Sequence, residues 1–237
     1  MSPKTDDRVS GRITSGIPGL DKLIKGGFIK GSIILVAGGT GTGKTTFCSQ
    51  FIMEGLKKGE PCIYITFEED PAEIEHDMKM FGMNFSKYKK SGLFNMLYHN
   101  PFKVSGLESL LSDEINAIKA KRVVLDPVSL IGMYLARPAL LRKKMVEITK
   151  VLKRTNATVL VVSEIEEEEK GLSRFGVIEF VVDGVIVLNY MAIGKESFGN
   201  LQIRKMRRTK HEHGWFPVNI TNSGLEVSKE ETSTLLK

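Results

Sequence analysis

Short runs of apolar residues alternate along the chain with segments in which apolar residues recur every three to four positions. The runs Ile33 to Ala37 and Val159 to Val162 have the unbroken hydrophobicity of strands buried on both faces. The segment Lys44 to Leu56 has the spacing of an amphipathic helix. Strands that alternate with helices predict right-handed βαβ units and a largely parallel sheet.

The same pattern predicts most elements before residue 175. Strands are predicted at Ser32–Ala37, Cys62–Phe67, Leu93–Tyr98, Arg122–Leu125 and Thr158–Ser163. Helices are predicted at Leu20–Ile24, Lys44–Leu56, Pro71–Phe81 and Ser105–Ile118, and along the face marked by Leu141, Met145, Ile148 and Leu152. Ser105, with Glu108 three residues later, is predicted to cap its helix.

After Phe175 the pattern becomes β-rich. Strands are predicted at Val181–Asn189, Asn200–Met206 and Phe216–Ile220, with turns marked by Gly194, Gly199 and Gly214. The sequence thus predicts an α/β fold, with a mostly parallel sheet flanked by helices and a C-terminal antiparallel β extension. We expect one domain over residues 1–237, with its core at about 12–226 and polar segments at both ends.

Composition narrows the class of protein. Apolar residues make up 41% of the chain and charged residues 26%, which is typical of a globular protein. No apolar run approaches the roughly 20 residues that span a membrane, and the N-terminal segment lacks the apolar stretch of a secretory signal. We therefore expect a cytoplasmic protein with no membrane partner. Cys48 and Cys62 both fall within apolar patterns and are interpreted as core residues.

One motif carries a phosphate-binding prediction. It follows the strand that ends near Ala37 and comprises Gly38, Gly39, Thr40, Gly41, Thr42, Gly43, Lys44 and Thr45, with Thr46 next in the helix. Glycines let successive backbone N–H groups face phosphate oxygens, and the helix start adds its positive end. Lys44 is predicted to reach the β- and γ-phosphates of ATP, and Thr45 to bind Mg²⁺ through its hydroxyl.

Three carboxylates follow strands downstream of this motif. Asp126 ends an apolar strand and is predicted to hold Mg²⁺, the alternative being a helix cap before Pro127. Glu68 and Glu69 follow the strand at Cys62–Phe67, where one of them could orient and deprotonate the attacking water. The alternative for this pair is a solvated acidic turn, and the sequence does not distinguish which glutamate is the base.

A basic stretch lies between Arg204 and His211. If it is a strand, Lys205, Arg207, Thr209 and His211 share one face. Three interpretations stay open on the pattern alone: a group that stabilises transferring phosphate, a solvated basic edge, or a nucleic-acid patch. His211 and His213 lack further metal ligands nearby in the sequence.

From about Arg12 to Glu226 the chain resembles a single-domain member of the KaiC family, within the RecA-like P-loop ATPases. The resemblance lies in four stretches besides the P-loop, which are Gly16–Gly27, Thr66–Pro71, Ser173–Asp183 and Lys205–His211. It implies a RecA-like core that assembles into a ring, usually a homohexamer, with ATP at the subunit interfaces. It also implies that Glu68 and Glu69 are catalytic.

The resemblance further implies residues that reach a neighbouring subunit's nucleotide, namely Lys205, Met206, Arg207, Thr209 and His211. Thr221 matches a position near the adenine or ribose, although Asn222 replaces the family's usual acid. Clock-type members carry two copies of the domain and a phosphorylated Ser/Thr pair. Here there is one copy, and Gly132–Arg142 contains neither Ser nor Thr, so protein-kinase activity is not supported.

The predicted function is a slow Mg²⁺-dependent ATPase that acts as a regulatory or signalling switch with an unknown protein partner. One alternative is a scaffold that binds ATP without hydrolysing it, and another is a recombinase-like DNA binder. The net charge of +6 and a basic helix near Lys150 permit a nucleic-acid partner. The acidic segment Glu164–Glu169 argues against a DNA channel, because it would repel phosphate.

Overall fold

The fold is built on one nine-stranded sheet, seen in a computed structural model that describes residues 11–135, 137–166, 171–193 and 196–228. The strands are β1 (Arg12–Ile13), β2 (Phe28–Ile29), β3 (Ile33–Gly38), β4 (Cys62–Thr66), β5 (Phe94–Tyr98), β6 (Arg122–Asp126), β7 (Thr158–Glu164), β8 (Gly184–Ile193), β9 (Glu196–Met206), β10 (Trp215–Thr221) and β11 (Gly224–Val227). The helices are α1 (Leu20–Leu23), α2 (Lys44–Lys57), α3 (Pro71–Met80), α4 (Ser86–Lys90), α5 (Leu107–Ile118), α6 (Ser129–Leu135), α7 (Pro138–Thr155) and α8 (Ile178–Val181).

The order of strands in the large sheet is β11-β10-β9-β8-β3-β7-β6-β4-β5. From β8 to β5 every neighbouring pair is parallel, whereas β8, β9, β10 and β11 pair antiparallel. Strands β1 and β2 form a separate antiparallel pair. The predicted α/β fold with its antiparallel extension is therefore confirmed.

Two apolar layers cover the two faces of the sheet. Ile34 and Val36 of β3 belong to the layer that includes Phe47 and Phe51 of α2, and Ile33 and Leu35 to the layer under α5 and α7. Burial on both faces explains the unbroken apolar runs of the central strands. Cys48 and Cys62 are buried free thiols, as predicted.

A buried arginine joins three parts of one layer. Arg122, at the start of β6, is fully buried, and its Nε lies 2.6 Å from Glu60 Oε2. Its NH1 donates to the carbonyl oxygens of Thr14 (2.8 Å) and Phe51 (3.0 Å), and the guanidinium lies 4.7 Å from the Phe51 ring centroid. The segment around Thr14 is thereby attached to the sheet.

The turn at Pro18 and Gly19 lies against β11, the last strand of the described chain. The N–H of Val227 donates to the carbonyl oxygen of Pro18 at 2.9 Å. Gly19 has a φ of 87°, and a Cβ added to it would lie 1.9 Å from the carbonyl oxygen of Val227. Strand β11 therefore packs directly on the turn that precedes α1.

One capping prediction is wrong, and the condition set on the basic stretch is not met. Helix α5 begins at Leu107 after Gly106, which has a φ of 78°, so Ser105 is not its cap. Strand β9 ends at Met206 and Arg208 takes a φ of 58°, so the stretch from Lys205 to His211 is not a strand with one basic face.

Short elements were also missed. Residues Ile178–Val181 form α8, so the next strand begins at Gly184 rather than at Val181. The segments of α4, α6 and β11 are too short for a periodic pattern to predict them. Gly194, Glu167–Glu169 and the polar ends at 1–10 and 229–237 lie outside the described residues. Within the described part of the chain, none of the helices is long and apolar enough to cross a membrane.

Candidate functional site

The predicted phosphate loop connects β3, which ends at Gly38, with α2, which begins at Lys44. Gly41 and Gly43 have φ angles of 74° and 86°, a region that favours glycine. Gly38 is required for a different reason, because an added Cβ would lie 2.5 Å from the carbonyl oxygen of Leu188. The loop therefore follows a path that residues with larger side chains would obstruct.

Lys44 and Thr42 fold back onto this loop. The Nζ of Lys44 donates to the carbonyl oxygen of Gly39 at 2.7 Å, and the Thr42 hydroxyl donates to the same oxygen at 2.9 Å. Burial lowers the pKa of Lys44, although Asp126 and Glu164 oppose the shift. A partly desolvated ammonium beside a loop of N–H groups is suited to bind a phosphate oxygen.

Asp126 lies at the end of β6, close to the start of α2. Its Oδ2 accepts hydrogen bonds from the Thr45 hydroxyl at 3.4 Å and from the Tyr64 hydroxyl. Burial raises the pKa of Asp126, whereas the hydrogen bond from Tyr64 and the charge of Lys44 lower it. A carboxylate and a hydroxyl at this position are hard oxygen ligands of the kind that Mg²⁺ prefers.

Tyr64 is a site residue that the sequence analysis missed. It lies in β4 and is fully buried, and burial together with the nearby Asp126 raises the pKa of its hydroxyl well above the usual value. In the sequence it is marked only by its phenol hydroxyl, a polar group within the apolar run of Cys62–Phe67. A buried phenol needs a hydrogen-bond partner, and here Asp126 accepts that bond.

Glu68 and Glu69 lie in the turn between β4 and α3. The Thr66 hydroxyl holds this turn, since it donates to the carbonyl oxygen of Glu69 (2.9 Å) and accepts from the N–H of Glu68 (3.2 Å). Burial raises the pKa of Glu69, with further contributions from Asp126 and Glu68. Asp70 instead caps α3, accepting from the N–H of Ala72 at 2.7 Å.

These residues converge on one cavity of about 450 Å³. The predicted residues that line it are Thr40, Gly41, Gly43, Lys44, Thr45, Thr46, Glu68, Glu69 and Asp126. Glu164 and Ile220 line it as well, and neither was predicted to do so. The lining therefore carries four carboxylates and one ammonium, which leaves a bound polyphosphate short of positive charge.

Glu164 was interpreted as the start of an acidic segment. It ends β7, where it is the parallel partner of Gly38, and the N–H of Ile165 donates to the carbonyl oxygen of Gly38 at 3.1 Å. Its position beside the phosphate loop follows from strand order, which the sequence pattern does not reveal. Its signal was a carboxylate that ends a buried strand, the same signal that singled out Asp126.

The residues that the resemblance assigns to a neighbouring subunit's nucleotide lie away from this cavity's lining in the same chain. Lys205 Nζ donates to the carbonyl oxygens of Glu179 (2.9 Å) and Val182 (2.7 Å), and burial lowers its pKa. The side chain of Met206 packs in the core. Both side chains thus have contacts within their own subunit, and their contact to a neighbour's nucleotide stays a prediction.

The other residues of this group differ among themselves. Arg207 is exposed, and Thr209 accepts a hydrogen bond from Arg12 at 3.2 Å. The ring of His211 lies 4.7 Å from that of His213. Thr221 donates to the carbonyl oxygen of Gly224 at 3.0 Å within a turn, and its neighbour Ile220 lines the cavity instead. Arg207 is the member of the group best placed to contact another molecule.

Comparison with known proteins shows which sequences the chain is similar to. The sequence model of the family described as "ATPase: KaiC" matches residues 13–232. A UPF0273 protein of Pyrococcus furiosus is 35% identical over 233 residues, which cover 91% of this chain and 93% of that protein. The circadian clock protein KaiC3 of Synechocystis is 30% identical over 222 residues, covering 89% of this chain but 44% of that protein.

The fold is similar to that of a solved structure. The KaiC-like protein of the hyperthermophilic archaeon Pyrococcus horikoshii OT3 superposes with a TM-score of 0.85 at 36% sequence identity. The match covers 92% of this chain and 99% of that one. The fold and the sequence thus point to the same group of proteins.

Proposed function

Because this chain belongs to the KaiC family of ATPases, we propose that it is a slow, Mg²⁺-dependent ATPase that works as a ring-forming regulatory switch. The observation that carries the proposal is the single cavity in which the phosphate loop meets Asp126, Glu68 and Glu69. Phosphate binding, metal binding and water activation each have a residue of suitable chemistry there. A homohexamer with nucleotide at its subunit interfaces is the assembly we propose.

The residues for Mg²⁺ are the Thr45 hydroxyl and the Asp126 carboxylate. Their oxygens already lie within hydrogen-bond distance of each other, and the Tyr64 hydroxyl orients the carboxylate. When bound, Mg²⁺ would supply positive charge to phosphate oxygens during the transfer. Lys44 would move from the Gly39 carbonyl oxygen to a phosphate oxygen.

Water activation is assigned to Glu68 or Glu69. The pKa of Glu69 is raised by burial, which makes its carboxylate a stronger base than an ordinary one, and the Thr66 hydroxyl fixes the turn that carries both glutamates. We expect Glu68→Gln and Glu69→Gln, singly or combined, to abolish turnover and to retain ATP binding. Full turnover in both single variants and in the double variant would contradict this assignment.

The charge of the cavity supports a subunit-interface site. Four carboxylates face one ammonium, so ATP needs cations beyond Lys44 and one Mg²⁺. Arg207 is exposed and stands apart from the cavity of its own chain, which suits a contact to the next subunit. In the proposed ring, Arg207 of one subunit would act on the nucleotide bound in the cavity of the next subunit.

Mixed assemblies test this arrangement. Subunits carrying both Glu68→Gln and Glu69→Gln would be mixed with subunits carrying Arg207→Ala, each inactive alone. An interface between the two types can contain an intact cavity and an intact Arg207, so we expect ATP hydrolysis to return on mixing. If both parents bind ATP and form the ring but the mixture stays inactive, Arg207 does not act in trans.

A further inference from the structure

Arg174 is a cation held immediately behind the lining of the cavity. Its Nη1 lies 3.2 Å from Glu164 Oε2, and its Nη2 lies 2.8 Å from Glu166 Oε1. Its backbone N–H donates to the Ser163 hydroxyl at 3.4 Å. Since Glu164 lines the cavity, its carboxylate lies between the Arg174 guanidinium and the space assigned to phosphate.

A triphosphate in the cavity would change this ion pair. Glu164 would repel the phosphate oxygens, whereas the planar guanidinium of Arg174 could bind them through two parallel hydrogen bonds. We infer that Arg174 is a phosphate-sensing residue, which exchanges Glu164 for the terminal phosphate when the nucleotide has one. This inference rests on the proposed function, because it requires ATP in the cavity.

The next residue gives this exchange a mechanical consequence. Phe175 packs against Gly132 of α6 so closely that a Cβ added to Gly132 would lie 2.3 Å from the Phe175 ring. Helix α6 follows Asp126 by a short turn and carries the exposed side chain of Tyr134, whose ring lies 5.7 Å from that of Phe102. A shift of Arg174 would therefore move α6 and the aromatic pair at the surface.

The test compares the affinities for MgATP and MgADP by titration calorimetry. We expect Arg174→Gln to lose affinity for MgATP about tenfold or more while affinity for MgADP stays the same, since the paired charge-assisted hydrogen bonds to the terminal phosphate are removed. Arg174→Lys should recover part of the loss. Glu164→Gln releases Arg174 and should strengthen MgATP binding relative to MgADP. The matched control is Arg154→Gln, an exposed arginine on α7 outside the cavity.

Hydrogen exchange supplies a second readout. MgATP, but not MgADP, should change the exchange of residues 129–135 in the original chain, and this difference should vanish in Arg174→Gln. The inference is overturned if the ratio of the two affinities is unchanged in both the Arg174 and Glu164 variants, or if Arg154→Gln alters it equally. Failure of the original chain to bind MgATP would instead overturn the proposed function, and the inference with it.

Discussion

The two adjacent glycines at the start of the phosphate loop offer a direct test of its geometry. A Cβ on Gly38 would lie 2.5 Å from the Leu188 carbonyl oxygen and 2.7 Å from the Thr42 hydroxyl oxygen. A Cβ on Gly39 would have no heavy atom within 4 Å. Alanine at these neighbouring positions should therefore have opposite consequences for the free energy of unfolding.

The distances set the expected size of the effect. Ordinary van der Waals contact begins at 3.4 Å, so the Cβ of Gly38→Ala is about 0.9 Å too close to a backbone oxygen of β8. Strand β8 is paired on both sides and cannot yield easily. Overpacking of this kind costs about 1–3 kcal/mol. Gly39→Ala should be neutral or slightly stabilising, because it restricts the unfolded chain.

Urea unfolding of the nucleotide-free protein measures this difference. A typical dependence of about 1–3 kcal/mol per molar urea converts the Gly38→Ala cost into a midpoint lowered by about 1 M. The double variant Gly38→Ala with Thr42→Ala removes the contact with the Thr42 hydroxyl, which is a side chain and can move. It should therefore recover only part of the stability lost in Gly38→Ala. Equal midpoints for Gly38→Ala and Gly39→Ala would refute the close approach of the loop to β8.

Three further predictions concern polar and charged groups. Arg122→Met leaves Glu60 without its ion-pair partner and removes the hydrogen bond to the Thr14 carbonyl oxygen, so it should lower the free energy of unfolding by about 3–5 kcal/mol. As a control, Lys89→Met removes an exposed ion pair and should change this free energy by less than about 1 kcal/mol in the same denaturation assay. Tyr64→Phe removes the hydrogen bond that orients Asp126 and should weaken Mg²⁺ binding about 10–100-fold, measured from the Mg²⁺ dependence of nucleotide binding. The folded state raises the pKa of Glu69 above 4.5, so its protonated form is favoured there and stability falls as pH rises from 4.5 through the folded value; urea unfolding across this range should show a shallower decline in Glu69→Gln.

Much of the site could be predicted because its residues lie at the carboxyl ends of apolar strands. Asp126 and the pair Glu68 and Glu69 each follow an apolar run, and the carboxyl ends of parallel strands meet at the same edge of a sheet. The phosphate loop ends another such run at Gly38. A local pattern therefore sufficed to place residues distant in sequence at one site.

Other features depended on information that no local pattern contains. Glu164 borders the cavity because β7 lies directly beside β3, and this adjacency is a matter of strand order. The turn after β9 depends on the left-handed conformation of Arg208, a residue type that seldom adopts it. The environment of Lys205 likewise depends on α8, a helix too short to predict.

The contact between Pro18 and Val227 has a consequence for chain connectivity. A hydrogen bond of 2.9 Å joins these residues, which lie near the two ends of the described chain, so we expect a flexible peptide to be able to link those ends. New termini could then open at Gly92, an exposed turn whose Cα has free space around it. Such a circular permutant would keep the residues of the cavity together and would move both termini to Gly92, where another protein could be fused.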